Sequence, residues 1–429
     1  METHPLTDQP VISTPAPPTP VTNTNFWKVW SATSFSNLGD GLYQILFPLL
    51  AIRLTTSPSL VAGVSLMLSL PWLIFALQAG SIVDRSDRRR VMLWVTGLRF
   101  FVLLSLTLAV ITNFASLPLL YAAALLLGIG ETLVDTALTS ILPSVVPKER
   151  LNWANAKITA AQTLTNTFIG PPLAGYLAGI SFALATGSST FLYLIAALAL
   201  ISMHGRFVTA PQADNKTRKH GWGHITEGIH FLWKNRLIRD LTLFTASMNL
   251  FWAGWGALLV LYAVKPGPMG LDEFEYGLLL TAMAIGGLLG SLLCERIQKI
   301  FGTRNALILD FLGTIALVGI PALTTHPLAV GAAAFLAGFG ASVWVILVSS
   351  IRQRLVPGVL LGRVYSASRF ISWGVGPLGV ALAGLVAEIW SIRTMFAIGG
   401  IVNVCLLFFF VKSISSRTLD NPDELSDLY

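Results

Sequence analysis

Residues 80–90 read GSIVDRSDRRR and join two apolar stretches of the chain, 58–80 and 91–113. The leading glycine allows two helices to approach closely, and Asp84 can accept hydrogen bonds from a helix end or from an arginine. The arginines are too costly to place in hydrocarbon and belong in water. The stretch therefore predicts a tight polar turn between two transmembrane helices.

The rest of the chain has the composition of a membrane protein. Of its 429 residues, 54% are hydrophobic and 11% are charged, against roughly a quarter charged in soluble domains. Its mean hydropathy is +0.70. Because its apolar segments match the roughly 20 residues that cross a bilayer, we predict an all-α integral membrane fold with twelve transmembrane helices. The predicted spans are 26–53, 58–80, 91–113, 117–141, 153–180, 186–204, 237–264, 273–294, 304–323, 327–349, 364–387 and 393–412.

Basic residues lie mostly on one side of these spans. With both termini placed in the cytoplasm, the inner loops and tails hold 22 Lys and Arg residues and the outer loops hold three. Short cytoplasmic loops carry this excess in membrane proteins, so we predict a multi-pass protein of the cell (inner) membrane with both termini cytoplasmic. The net charge of +7 then needs no nucleic-acid partner, and we expect none.

The spans divide into two sets of six. We predict a disordered tail over residues 1–24, a six-helix bundle over 25–205, a cytoplasmic linker over 206–236, a second six-helix bundle over 237–412 and an acidic tail over 413–429. Within the linker, Ile225, Ile229, Leu232 and Trp233 fall on one helical face. This pattern indicates an interfacial amphipathic helix, and an extension of the seventh span is the alternative.

An internal repeat relates the two bundles. Sliding the second half onto the first by 210 residues superposes eight identical residues over three helices. The matching pairs are Gly80-Ser81 with Gly290-Ser291, Gly128 and Gly130 with Gly338 and Gly340, Ser140-Ile141 with Ser350-Ile351, and Val146-Pro147 with Val356-Pro357. The repeat predicts two pseudo-symmetric bundles, the arrangement of transporters that rock one half against the other around a central site.

The 80–90 stretch resembles the loop signature G-x-x-x-D-R-x-x-R-R of the major facilitator superfamily. The signature positions are occupied by Gly80, Asp84, Arg85, Arg88 and Arg89. The resemblance implies the fold of that superfamily and a loop that latches the two halves together in the outward-open state. The second half has a degenerate copy with Cys294 at the aspartate position, which predicts a weaker latch there.

Residues 166–175 resemble the antiporter signature G-x-x-x-G-P-x-x-G-G of exporters in the same superfamily. Gly170, Pro171 and Gly175 are retained, whereas Asn166 and Ala174 replace two glycines. A glycine followed by proline allows a helix to bend against its neighbour, which would help to seal one side of a cavity. A packing kink without directional meaning is the alternative interpretation.

Three further stretches, 37–43, 142–147 and 153–156, are similar to the drug:proton antiporter branch of the superfamily, which holds macrolide efflux proteins and the enterobactin exporter. The resemblance covers about residues 25–412 and implies a proton-driven exporter. One position departs from the pattern: Ala124, four residues before Gly128, stands where an arginine is usual. The usual proton-relay assignment therefore does not carry over to this chain.

Charged residues inside the predicted spans are the best functional candidates. Asp40, Glu131 and Asp135 are candidates for proton coupling, because a carboxylate in hydrocarbon must be paired, hydrated or protonated. For Asp135 a structural ion pair with the loop that holds Arg85 and Arg88 is favoured over a transport role. We expect Arg99 to neutralise one of the acids and Arg369 to pair across the halves, with snorkelling as the alternative for both.

The remaining candidates concern the cavity and its substrate. Five side chains are predicted to face the cavity: Asn37, Gln44, Trp252, Trp255 and Trp373. Their aromatic surface favours a large amphiphilic compound, such as a drug, a macrolide or a siderophore-like molecule. The sequence thus predicts proton-coupled efflux of such a substrate by a monomer in the lipid bilayer, with uptake or lipid flipping by the same fold as the alternative. It has no enzyme, nucleotide-binding or metal-binding motif, so we expect neither catalysis nor a cofactor or metal.

Overall fold

The computed structural model of the protein describes residues 24–205, 207 and 221–414. The two predicted tails, apart from their innermost residues, lie outside the described residues, as do positions 208–220 of the predicted linker. The described chain is almost entirely helical, and the prediction of an all-α membrane fold is confirmed.

The first half is built from eight α-helices. They are α1 (Thr24–Leu54), α2 (Pro58–Ile74), α3 (Ala76–Asp84), α4 (Arg88–Ile111), α5 (Leu117–Val145), α6 (Leu151–Gln162), α7 (Gly170–Ile180) and α8 (Phe182–Ile201). Helices α2 and α3 form one broken crossing, in which Pro71 lies one turn before the break. Helices α6 and α7 form another, joined by a π-helical turn over Thr163–Ile169. Each predicted span of this half corresponds to one helix or to one such pair.

The second half repeats this organisation. It comprises α9 (Gly221–Lys234), α10 (Arg236–Ala263), α11 (Glu273–Leu323), α12 (Pro327–Leu355), α13 (Gly358–Gly374), α14 (Gly376–Ile389) and α15 (Ile392–Ser413). Helix α11 contains two crossings separated by a sharp bend at Gly302, whose φ of 76° suits glycine. Helix α9 is separate from α10, because the Asn235 side chain caps the new helix by accepting from the Ile238 amide.

The sequence repeat has a matching pattern of close helix contacts. A Cβ atom at Gly128 of α5 would lie 2.4 Å from the Leu68 carbonyl of α2, and one at Gly338 of α12 would lie 2.0 Å from the Met283 carbonyl of α11. Both glycines therefore allow the same pair of helices to touch in each half. The glycine two residues later repeats the pattern: Gly130 packs on Arg99 of α4, and Gly340 packs on Asp310 of α11.

The two halves meet tightly near one end of the bundle, which we call the sealed end. There, Gly175 of α7 packs against Gly277 of α11, and Gly384 of α14 packs against Ala62 of α2. An ion pair joins Arg53 to Glu273 at 2.9 Å, and the Ser57 hydroxyl donates to Glu388 at 2.7 Å. We call the opposite end, where the linker and the 80–90 turn lie, the linker end.

The helices are packed more loosely toward the linker end. A Cβ atom at Gly80 of α3 or at Gly362 of α13 would meet no other atom within 4 Å. Large side chains there are exposed, including Ile82 and Tyr365. Among the described residues, the halves meet closely at the sealed end, where α7 packs on α11 and α2 on α14, and only sparsely toward the linker end, where α13 approaches α2.

Candidate functional site

Asp40 lies in the middle of α1 and is buried inside the first half. Its neighbours in sequence are glycines: Gly39 lies against α8, and Gly41 against the Gly170 backbone of α7. Because both residues are small, α1 packs closely against α7 and α8, and Asp40 between them lies in the interior. Only 3% of the Asp40 surface is exposed.

Arg99 of α4 supplies the charge that compensates Asp40. Its guanidinium lies 2.5 Å from Oδ1 of Asp40, and the Tyr193 hydroxyl of α8 donates to the same oxygen. Arg99 itself is 1% exposed and its guanidinium lies over the Tyr193 ring, 4.8 Å from the ring centroid. A buried ion pair with additional hydrogen bonds is the arrangement in which two charges can persist inside a membrane protein.

A second carboxyl group joins this pair through a tyrosine. Arg99 donates to the Tyr43 hydroxyl at 3.0 Å, and that hydroxyl lies 3.1 Å from Oε2 of Glu131, to which it donates. Glu131 is only half-buried, whereas Tyr43 is enclosed. We call these five residues, Asp40, Tyr43, Arg99, Glu131 and Tyr193, the Asp40 network.

The Asp40 network connects a half-buried carboxyl group, Glu131, to an enclosed one, Asp40. Its members come from α1, α4, α5 and α8, so a change of charge on one acid acts on four helices at once. Because the surroundings have a low dielectric constant, the two acids and the arginine interact strongly. Such a line of hydroxyl and carboxyl groups is suited to binding and passing protons.

Asp135 does not form the predicted ion pair with the 80–90 turn. It makes no hydrogen bond or ion pair with any described residue, although it lies in the electrostatic field of Arg99 and Arg369. The predicted partners are otherwise occupied or distant, since Arg88 donates to the Phe207 carbonyl at 3.2 Å and Arg85 is exposed. The preference for a structural ion pair at Asp135 was therefore wrong.

Arg369 reaches across the halves, but its described contacts are with rings rather than with a carboxylate. Its guanidinium lies 5.8 Å from the Trp72 ring of α2 and 5.6 Å from the Trp373 ring of its own helix. Both Arg369 and Trp373 are exposed, the latter by 68%. A cation between two indole rings offers a positively charged, aromatic surface.

The predicted cavity residues fall into different environments. Gln44 is exposed, and Asn37 is half-buried with its amide donating to the Thr33 carbonyl. Trp255 is wrong as a cavity residue, because it is 2% exposed and belongs to the apolar core of the sealed end. Trp252 is half-buried: its ring packs against the same core, and its indole N–H donates to Thr314 inside the second half at 2.9 Å.

The two motif regions hold helices together in different ways. Arg88 and Arg89 donate to the Phe207, Leu200 and Ile201 carbonyls, so in this state they cap the end of α8 within their own half. The predicted latch between halves remains a prediction for the outward-open state. In the second motif, Gly170 packs on α1, whereas Gly175 lies at the sealed end, where a Cβ atom would be 3.0 Å from Gly277.

Comparison with known proteins identifies the family. A family profile described as "Transmembrane secretion effector", from the major facilitator superfamily, matches residues 15–425. The chain belongs to this transporter family. The enterobactin exporter EntS of Shigella boydii serotype 4 (strain Sb227) is 26% identical over 423 residues, which cover 94% of this chain and 96% of that exporter.

Solved structures support the fold of the transporter. The nucleoside transporter NupG aligns with a TM-score of 0.69 at 15% identity, over 91% of this chain and 98% of that one. A bacterial homologue of the iron transporter ferroportin aligns at 16% identity over 90% of this chain and 98% of that one in both states. Its TM-score is 0.69 in the inward-facing state and 0.56 in the outward-facing state.

Two buried polar residues of the transporter were not recognised in its sequence. Tyr193 was not singled out, because a single uncharged tyrosine within an apolar span does not differ in sequence from an aromatic residue that only packs. Asp310 was not singled out either, although it is an acidic residue within the predicted span 304–323 and is 4% exposed. The signal that could have found it was the repeat, which places Gly340 opposite Gly130 and hence Asp310 near the position of Arg99.

Proposed function

We propose that this transporter exports an amphiphilic small molecule in exchange for protons, and that the Asp40 network couples the two movements. The observation that carries the proposal is the hydrogen-bonded line from half-buried Glu131 through Tyr43 and Arg99 to enclosed Asp40. A transporter that only facilitates diffusion needs no line of titratable groups inside its membrane-spanning core.

The proposed orientation places the linker end in the cytoplasm. The excess of basic residues on that side supports it, as does the higher TM-score against the inward-facing ferroportin homologue. In this reading the structure is the inward-open state, with the sealed end toward the outside. Glu131 then exchanges its proton with cytoplasmic water.

The proposed cycle follows from the charges in the network. A proton arriving at Glu131 removes one of the two negative charges that face Arg99, which weakens the attraction between α5 and α4. Release of that proton on the opposite side of the membrane restores the negative charge of Glu131 and its attraction to Arg99. Each proton moving inward supplies about 2.3 kcal/mol for every ~100 mV of membrane potential, in addition to the pH gradient.

The proposed substrate class is siderophore-like or drug-like. The cluster of Arg369 with Trp72 and Trp373 combines a cation with two flat rings, which suits an aromatic molecule carrying negative charge. The relationship to an enterobactin exporter at 26% identity supports the same class. We propose that these three residues contact the substrate on its way through the cavity.

The test measures proton movement in energised inverted vesicles while candidate substrates are added one at a time. The variants are Asp40→Asn and Glu131→Gln, with Glu295→Gln as the matched control because Glu295 is exposed and distant from the network. We expect a siderophore or lipophilic drug to cause proton efflux from the vesicles with the wild type and with Glu295→Gln. Glu131→Gln should abolish that signal while retaining substrate binding.

Two results would contradict the proposal. Unchanged proton movement in both network variants would show that the Asp40 network does not couple transport. Uptake of a bound substrate down its own gradient, without proton movement, would instead favour facilitated uptake by the same fold.

A further inference from the structure

The second half contains a buried carboxyl group that the Asp40 network does not use. Asp310 lies in the second crossing of α11 and is 4% exposed, and its Oδ1 atom is fully enclosed without a hydrogen-bond partner. No ion pair or hydrogen bond joins it to any other part of the described chain. Its neighbour Phe311 packs in an apolar cluster with Phe244, Trp344 and Phe410.

The fold places Asp310 close to the position that Arg99 has in the first half: at the repeat shift of 210, Arg99 matches Leu309, the residue before Asp310. A Cβ atom at Gly130 would lie 2.9 Å from Cδ of Arg99, and one at Gly340 would lie 2.5 Å from the Cα of Asp310. The same helix pair thus carries a buried cation in one half and a buried acid in the other. The Asp40 network surrounds the cation with acceptors, whereas nothing described compensates the acid.

Basic groups on the elements around Asp310 are too far away to pair with it. On α11 itself, Arg304 lies six residues nearer the linker end, about 9 Å by helical rise, and donates to the Val411 carbonyl of α15. The other charged groups of the packed helices α10, α12 and α15 lie at their ends: Arg236, Arg239, Asp240, Arg352, Arg354, Arg393 and Lys412. Asp310 is therefore enclosed without a countercharge.

A polar side chain with a free acceptor lies on the facing helix. Helices α11 and α15 run antiparallel, because Gly319 contacts Gly400 and Arg304 contacts Val411. Between these two contacts, Asn403 falls about one helical turn from Asp310 along the helix axes. Asn403 is fully buried and its Oδ1 atom also lacks a partner within the described residues. At the repeat shift of 210, it stands in the place of Tyr193.

We propose that Asp310 is a second proton-binding site of the transporter, separate from the Asp40 network, which holds a proton in the inward-open state and releases it during the cycle. An ionised, unpaired carboxylate in apolar surroundings costs several kcal/mol, so the neutral form is the one compatible with this packing. The neutral carboxyl group is a hydrogen-bond donor, and the unpartnered Asn403 oxygen is an acceptor about one helical turn away by register. This inference rests on the proposed proton-coupled transport.

Infrared difference spectroscopy of the full-length protein in lipid tests the site without requiring a transported substrate. Protonated carboxyl groups have a C=O stretching band that ionised groups lack, and the spectrum is recorded from mildly acidic to alkaline pH. We expect Asp310→Asn to remove one pH-dependent component of this band, while Glu131→Gln removes a different one. Glu295→Gln is the control, and Asn403→Leu should shift the frequency of the Asp310 component because a hydrogen-bond acceptor is lost.

Three outcomes would overturn the proposal. A spectrum that Asp310→Asn leaves unchanged at every pH would mean that Asp310 is ionised throughout. A component that Asp310→Asn removes but that no pH change affects would mean a permanently neutral, structural carboxyl group. Loss of the component on adding sodium at constant pH would mean that the site binds a metal cation. Failure of the proposed coupling through the Asp40 network would appear in the vesicle experiment and not in this spectrum, as substrate-driven proton movement that Glu131→Gln leaves intact.

Discussion

The two halves of the transporter share their backbone packing but differ in their buried charges. In each half a pair of glycines on the fourth membrane crossing allows close contact with the second and third crossings. The glycines are Gly128 and Gly130 on α5 in the first half, and Gly338 and Gly340 on α12 in the second. In the first half the space beside these contacts is occupied by Arg99, which donates to Asp40 and to Tyr43. In the second half it is occupied by an aspartate without a described partner.

This difference separates what the fold requires from what the chemistry requires. Close helix contacts in a membrane depend on small residues, so both halves need them at the same positions. Buried charges are costly, so they are placed only where they do something or are compensated. The first half carries a compensated group of charges whose balance one proton changes. The difference between the halves can be tested by substituting these charges and the shared glycines in turn.

The largest effect is expected for Arg99→Leu. It leaves Asp40 buried without its countercharge, which typically destabilises a protein by about 3–5 kcal/mol. The measurement is the free energy of unfolding by denaturant in mixed micelles of detergent and lipid. The equivalent change in the second half, Asp310→Asn, removes no ion pair, so we expect a change of less than about 1 kcal/mol.

The double variant Arg99→Leu with Asp40→Leu serves as the control for that prediction. Removing both partners leaves neither of these two charges unpaired, and only the Tyr193 hydroxyl loses its acceptor. Most of the lost stability should therefore return, because replacing a whole buried pair by apolar residues is often neutral. If the double variant were as unstable as Arg99→Leu alone, the loss would come from packing rather than from charge. The contrast between the halves would then lose its electrostatic basis.

The sequence predicted the helices and the individual acids better than it predicted their partners. Span positions follow from runs of apolar residues, and the repeat follows from glycines, both of which are local features. Which arginine meets which acid depends on helix rotation, so Asp135 was assigned to the basic loop at the same end of the predicted spans. In the structure the arginine absent at Ala124 of α5 has a counterpart on the neighbouring helix: Arg99 occupies the interior beside Gly130.

Aromatic cavity residues were the least predictable part of the site. Trp252 and Trp255 are three residues apart on α10, and both pack against the apolar core, Trp255 enclosed and Trp252 half-buried. A tryptophan in a membrane helix can face lipid, a neighbouring helix or water, and composition alone does not distinguish these environments. Trp373 is exposed and shares Arg369 with Trp72 of the other half, and its place in the cavity stays a prediction.

The second prediction concerns the glycines that the halves share. Gly128→Ala and Gly338→Ala should each destabilise the protein by about 1–3 kcal/mol, because the added methyl group would meet a backbone carbonyl that cannot move independently. Similar losses in the two halves would strengthen the view that the repeat preserves packing. The measurement is again the free energy of unfolding.

Two other glycines provide controls for this experiment, Gly331 on the same helix as Gly338 and Gly97 on α4, which packs against the helix of Gly128. A Cβ atom at Gly97 of α4 or at Gly331 of α12 would meet nothing within 4 Å. Alanine at these positions should therefore be neutral or stabilising by up to about 1 kcal/mol, since glycine is a poor helix former. A loss at Gly331 equal to that at Gly338 would indicate a general intolerance of substitution in α12 and not a specific helix contact.

The smallest effects are expected at the sealed end, where each half contributes a different kind of group. The first half supplies donors, Arg53 and the Ser57 hydroxyl, and the second half supplies acceptors, Glu273 and Glu388. The Arg53 side chain is 57% exposed, and such ion pairs contribute about 0.2–1 kcal/mol. Glu273→Gln and Glu388→Gln should thus increase the outward-open population by only a few fold each.

This shift can be measured as a change in the distance between spin labels on α2 and α14 at the sealed end. The two native cysteines, Cys294 and Cys405, are replaced first so that only the introduced sites are labelled. Glu295→Gln at the linker end is the control. We expect the two substitutions to add in free energy, because they break separate contacts between the same rigid halves. The glycine contact at Gly175 and Gly277 remains in both variants and keeps most molecules closed. A complete opening caused by either substitution alone would mean that charge, and not close packing, holds the halves together at this end.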